Sequence, residues 1–143
     1  VNPDQINCRA VGPFPVTANV DLTGKRSRLV VLVNNGGNLE AKLPTANGED
    51  AFYQVQEEGA ATEQVSIERF GPHRDFRVPL KGACNPGARL VLADTAVAGD
   101  RGALRTLPAA AGTYRVLAIA REAGVDTQHV KCDPVPAFDV VVP

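Results

Sequence analysis

Phe14-Pro15-Val16-Thr17-Ala18-Asn19-Val20-Asp21-Leu22 alternates an apolar residue with a polar residue or proline at every step. Side chains of an extended chain point to opposite faces in turn, so this period of two predicts a strand with one face buried. A helix would need spacings of three and four, which the stretch lacks. Gly24-Lys25-Arg26 then turns the chain into Leu29-Val30-Val31-Leu32-Val33, a β-branched run expected to be buried on both faces. Asn34-Asn35-Gly36-Gly37-Asn38 breaks that run with residues that tolerate positive φ.

The same grammar continues to the C-terminus. Pro44 and Asn47-Gly48 precede Phe52-Tyr53-Gln54-Val55; Val65 and Ile67 alternate with Gln64, Ser66 and Glu68; Phe76, Val78 and Leu80 follow in step. Arg89–Ala93, Leu104–Leu107, Thr113–Val116 and Phe138–Val142 complete the set. Glu49–Phe70 is rich in Glu, Gln and Ala, but Gly59 and the Gln64–Glu68 alternation predict a hairpin there. Gly and Pro together number 24, enough to punctuate many short strands, and no helix-long pattern competes. The expected architecture is all-β: an antiparallel β-sandwich forming one domain over residues 1–143, with 1–13 as an extended N-terminal arm and no internal repeat.

Composition bounds the function. Fifteen Lys+Arg balance sixteen Asp+Glu for a net charge of −1, which argues against a basic nucleic-acid surface. No apolar run approaches the roughly 20 residues of a membrane helix, so no membrane span is expected. Trp is absent and aromatics are 5%, which disfavours flat sugar-stacking platforms. Cys8, Cys84 and Cys132 lie far apart in polar or turn-like contexts with no metal-ligand spacing. Read as loop cysteines, they suit either a staple in an oxidising compartment or unpaired surface thiols; if a pair forms, Cys8–Cys132 is the first choice, with connectivity left open. The start Val1-Asn2-Pro3 and the absence of Met suit a mature secreted product.

Three segments in order resemble a known family. Gly48-Glu49-Asp50-Ala51-Phe52-Tyr53-Gln54-Val55, then Val65-Ser66-Ile67 with Asp75–Leu80, then Leu104–Pro108 followed by Ala111-Gly112-Thr113-Tyr114-Arg115-Val116, are similar to bacterial pre-peptidase C-terminal (PPC) domains. The resemblance spans about residues 48–142 and implies a jelly-roll-like sandwich, an accessory part of secreted hydrolases, with some relatives binding calcium or fibrous polymers. The acidic cluster of many relatives is reduced here to Asp94 and Asp100.

Candidate chemistry is sparse. Ser66 sits mid-strand with no nucleophile elbow, and Cys84 in a turn could approach His73. His73 and His129 read as solvated loop residues. Glu49-Asp50 and Glu57-Glu58 are neighbours that a strand would point apart. Asp50, Asp75, Asp94 and Asp100 are the candidate calcium ligands; no other cofactor is expected. Lys25, Arg26 and Arg28 read as a hairpin tip, and Asn35-Gly36-Gly37 lacks the residues of a phosphate loop. The expectation is a non-enzymatic, secreted, cell-surface or extracellular module that binds a polymer, a surface or a partner protein. The alternative is a self-assembling subunit of a filament, fimbria or shell, linked to its copies through the N-terminal arm.

Overall fold

The computed structural model describes residues 12–143, so all but the last two residues of the expected arm lie outside it. The described residues form ten strands: β1 (Phe14–Ala18), β2 (Leu29–Asn35), β3 (Asn38–Lys42), β4 (Tyr53–Glu57), β5 (Gln64–Arg69), β6 (Phe76–Pro79), β7 (Arg89–Leu92), β8 (Leu104–Thr106), β9 (Gly112–Ala120) and β10 (His129–Val142). A single 3-10 turn at Ala98–Asp100 is the one helical element among the described residues. The all-β, two-sheet architecture and the hairpin within 49–70 are as the alternation predicts. Two details differ. The opening strand ends at Ala18, leaving Val20 exposed, because Asn19 N turns to the Ala41 carbonyl. The run 29–33 is fully buried only at Leu29 and Val30.

Each sheet is drawn from one half of the chain. The first closes into a barrel in the order β1-β3-β2-β4-β5, with β5 returning to β1 through the register Phe14↔Ile67 to Thr17↔Gln64. The second runs β6-β10-β9-β7-β8, and a bridge between Leu80 and Leu104 ties its two ends together. Numbered first to fifth within each half, both strand orders describe the same ring: first, third, second, fourth, fifth. The first-to-third contact is parallel in both halves, and every other pairing is antiparallel. A topology of five short strands is therefore used twice, a repeat that the sequence does not display.

The two cores explain why both rings close. Val16, Ala18, Val30, Ala41, Val55, Val65 and Ile67 fill the first barrel, all inward positions of period-two strands. The second core gathers Phe76, Val78, Leu80, Leu90, Leu92, Leu104 and Val130, and it also takes in Leu29, Ala51 and Phe70 from the first half. That shared apolar cluster fastens the halves together. At the first hairpin, Asn35 pairs with Asn38 across Gly36-Gly37, whose φ values of 59° and 91° are those of a type I′ turn.

β10 exceeds its counterpart β5 by eight residues, fourteen against six. Beyond Cys132 it loses β6 as a neighbour, is irregular between Pro134 and Phe138, and continues to Val142 paired with β9 alone among the described residues. This β9–β10 ribbon leans on the first half through Arg115, which pairs with Asp50 there and, within the ribbon, with Asp139 at 3.0 Å.

Candidate functional site

The structure disperses the sequence candidates. Asp50 pairs with Arg115; Asp75 holds Lys131 at 2.8 Å and Arg121 at 3.0 Å; Asp94 accepts the Ala96 N–H at 3.0 Å; Asp100 faces Lys81 at 3.6 Å. Lys131 holds the Asp75 carboxyl below its ordinary value. Among the described residues, no group of three His, Cys, Asp or Glu side chains gathers as an ion would require. Glu49 is bonded to Thr45 and Lys42, and Glu57 and Glu58 are exposed. Ser66 lies within β5 between buried Val65 and Ile67.

The loop reading fails for Cys132, which lies in β10, while Cys84 lies between β6 and β7 but is buried. Cys84 is only 6% exposed and Cys132 is fully buried, and both belong to the second core. Cys132 lies within β10, where Val130 and Cys132 face inward while Lys131 and Asp133 face out. Its Sγ approaches the Phe76 carbonyl at 3.8 Å, and Cys84 Sγ donates to Glu122 O at 3.5 Å. Burial raises both thiol pKa values, that of Cys132 to about 12. Cys8, the other end of the expected disulfide, lies outside the described residues. A thiol that ionises near 9.0 when unfolded and near 12 when folded contributes stability below 9.0 that is lost as pH rises between those values. Iodoacetamide at pH 8 is expected to spare Cys132 in the native protein and to label it only after denaturation, read by peptide mass mapping.

His73 lies exposed in the turn between β5 and β6, as its sequence context predicts, and is held there by a carboxylate. Glu68, 5% exposed, accepts from Arg74 Nε at 2.6 Å and faces His73 Nε2 at 3.3 Å. Arg74 also stacks over the Phe76 ring, 4.0 Å from its centroid, and the His73 ring meets Phe76 edge-on. Arg74, followed by His73, pulls the Glu68 carboxyl below its ordinary value of 4.5, against the opposing effect of burial. Glu68 therefore stabilises the fold above pH 4.5, and this contribution disappears as pH falls through its lowered folded value. Glu68→Gln is expected to cost about 1–3 kcal/mol at pH 7. The gap to the parent should close on acidification, measured by urea unfolding at stepped pH.

Several concave surfaces lie where the halves meet, among them a polar cleft and an apolar groove. The first, of about 370 Å³, is lined by Arg26, Gln56, Asp75, Arg77 and Lys131. Its floor is Gln54, 3% exposed, whose amide donates to Ser27 O at 2.9 Å in the first half and to Arg77 O at 2.7 Å in the second. Two of its cations are matched, Lys131 by Asp75 and Arg77 by Glu122 at 2.6 Å. The predicted basic tip is split, since Arg28 turns away to donate to Gly99 O and Arg101 O at 2.7 and 2.8 Å.

The second surface is an apolar groove of about 450 Å³ between Phe52, Phe70 and Pro72 of one wall and Pro134, Val135 and Pro136 of the other. Past Ala137 it adjoins a separate hollow lined by Asp50, Arg115 and Asp139 beside Phe138, which is 42% exposed. Sequence reasoning missed the groove, although the Pro134-Val135-Pro136 spacing marks an irregular strand edge. Such a surface suits an extended apolar segment rather than a small polar substrate.

No protein-family model matches the sequence, and no curated protein matches it. Among solved structures, the fold is similar to the head fiber gp8.5 N base of bacteriophage phi29, with a TM-score of 0.66 at 14% identity. The likeness covers 87% of this chain and 93% of that one, so it extends across both five-stranded halves.

Proposed function

We propose that the chain is a non-catalytic structural module that binds a protein or polymer surface outside the cell that makes it. The observation that carries this reading is the likeness of fold, over 87% of this chain, to the base of a phage head fiber. The local chemistry agrees. His73 is held by a buried carboxylate, Cys84 and Cys132 are packed in the core, and the candidate aspartates are spent on arginines, lysines and a turn. The PPC-like segments support the extracytoplasmic setting and a role appended to something larger. In a co-sedimentation assay against purified protein shells and insoluble polysaccharides, the protein is expected to pellet saturably with one of these classes, and the double variant His73→Ala, His129→Ala should pellet equally. Failure to pellet with every class, or a turnover that the double variant abolishes, overturns the reading.

The fibre origin of the structural neighbour favours one second reading, a subunit that assembles with its own copies. Sedimentation velocity of the intact chain decides it. Large species that vanish on deletion of residues 1–13 support assembly through the arm, and a discrete monomer at all concentrations opposes it.

A further inference from the structure

The polar cleft at the junction of the halves is one end of a longer furrow. β6 pairs with β10 in the register Arg77↔Lys131 and Pro79↔His129. These four turn to one outer face, while Val78 and Val130 are buried on the other. Arg77 and Lys131 border the cleft, and Pro79 and His129 border a second hollow of about 180 Å³. Alternate residues of a strand stand about 7 Å apart, so Lys131 and His129 carry the face from one hollow into the other. On the first half's side Arg26 borders both.

The charge of this furrow departs from that of the chain. Six of the fifteen Lys and Arg line it (Arg26, Arg28, Arg74, Arg77, Lys81 and Lys131), against three of the sixteen Asp and Glu, in a chain of net charge −1. Residues 1–11 hold one acid, Asp4, and one base, Arg9, so they lower this excess by one charge at most. Asp75 and Asp100 face Lys131 and Lys81, and behind the walls Glu68 and Glu122 orient Arg74 and Arg77. Ion pairs at a surface contribute little of their own, and each of these cations keeps N–H donors for a second acceptor.

The other lining groups select the kind of anion. Gln54, Gln56, Ser27 and Thr127, with Asp75 and Asp126, supply amides, hydroxyls and carboxylates, all of them partners for hydroxyl groups. Among the described residues no aromatic side chain borders either hollow, so nucleic-acid bases would have nothing to stack on. The larger hollow also lacks an apolar side chain to anchor a peptide. Recognition by ion pairs and hydrogen bonds needs no Trp platform, which the sequence lacks. We infer that the furrow binds a carboxylated polysaccharide, with carboxylates on Arg26, Arg77 and Lys131 and sugar hydroxyls on the amides and acids between them. The inference rests on the reading that the module binds a polymer or surface, and it names the polymer's chemistry.

Isothermal titration calorimetry of the full chain with polygalacturonate, alginate and hyaluronate tests it. Saturable binding to at least one is expected, weakened about tenfold or more in its methyl ester, which keeps the hydroxyls and loses the charge. High salt should weaken it as well. The double variant Arg26→Ala, Lys131→Ala should lose about tenfold or more, while Arg89→Ala, exposed on β7 outside both hollows, should bind as the parent does. Circular dichroism confirms that the variants are folded, and the ester comparison needs no variant at all. Binding to none of the three, equal binding of the ester, or an equal loss in Arg89→Ala overturns the inference. Binding of polyglutamate or oligothymidylate as tight as that of the glycan overturns the assignment to a polysaccharide. If no carboxylated glycan binds but the chain still pellets with a protein shell or a neutral polysaccharide, the furrow inference fails and the module reading stands. If it pellets with nothing either, both fail.

Discussion

Gly102→Ala is expected to lower stability by about 2–4 kcal/mol, a left-handed backbone penalty added to an overpacking one. Gly102 has φ of 81°, and a Cβ there would sit 2.6 Å from the Leu29 carbonyl oxygen and 3.0 Å from Arg28 Cβ. A backbone oxygen cannot swing aside as a side chain can. The same glycine accepts the Leu29 N–H at 2.8 Å, so any shift made to relieve the clash loosens a hydrogen bond between the halves. Arg28 fastens the neighbouring carbonyls of Gly99 and Arg101, which concentrates the junction in a few residues. Gly48→Ala, a position with open space and no positive φ, should change stability little. Thermal and urea unfolding of both variants checks the contrast; equal effects would mean that the Gly102 junction is not under this constraint.

Phe76→Ala is expected to cost more, about 3–5 kcal/mol. Phe76 is fully buried and lies at the meeting of several interactions. Phe70 packs edge-on against it at 5.0 Å, His73 at 5.5 Å, and the Arg74 guanidinium covers its face. Removing the ring opens a cavity in the second core and also withdraws the platform that holds Arg74 over Glu68. Unfolding free energy and the alkylation rate of Cys132, whose thiol faces the Phe76 carbonyl, report the two consequences together. A stable variant with Cys132 still protected would show that the surrounding side chains close the gap.

Period-two alternation made the fold class legible because each ring has a dry interior and a wetter outside, so Val65 and Ile67 announce themselves against Gln64 and Ser66. The short β3 escaped notice because Asn38, Leu39 and Glu40 are all largely outside and only Ala41 enters the core. Glu68 read as an outward residue, as it is with respect to the barrel. Only the tertiary path of residues 70–75 over that face buries it. Cys132 was misread from its charged neighbours, although Val130-Lys131-Cys132-Asp133 carries the alternation of a strand. The repeat was invisible for a different reason: corresponding strands such as β5 and β10 differ in length and share no residue pattern, so only pairing reveals them. The groove belongs to no single segment, since its walls are some 60 residues apart in sequence.

That each ring takes its five strands from one continuous stretch has a bearing on synthesis. Residues 14–69 leave the ribosome before the second ring begins, so the first barrel can close while the rest of the nascent chain is still being made. Until then Leu29, Ala51 and Phe70 have no cover, and a pause in translation once residue 70 has emerged would expose a sticky face to chaperones or to other unfinished chains.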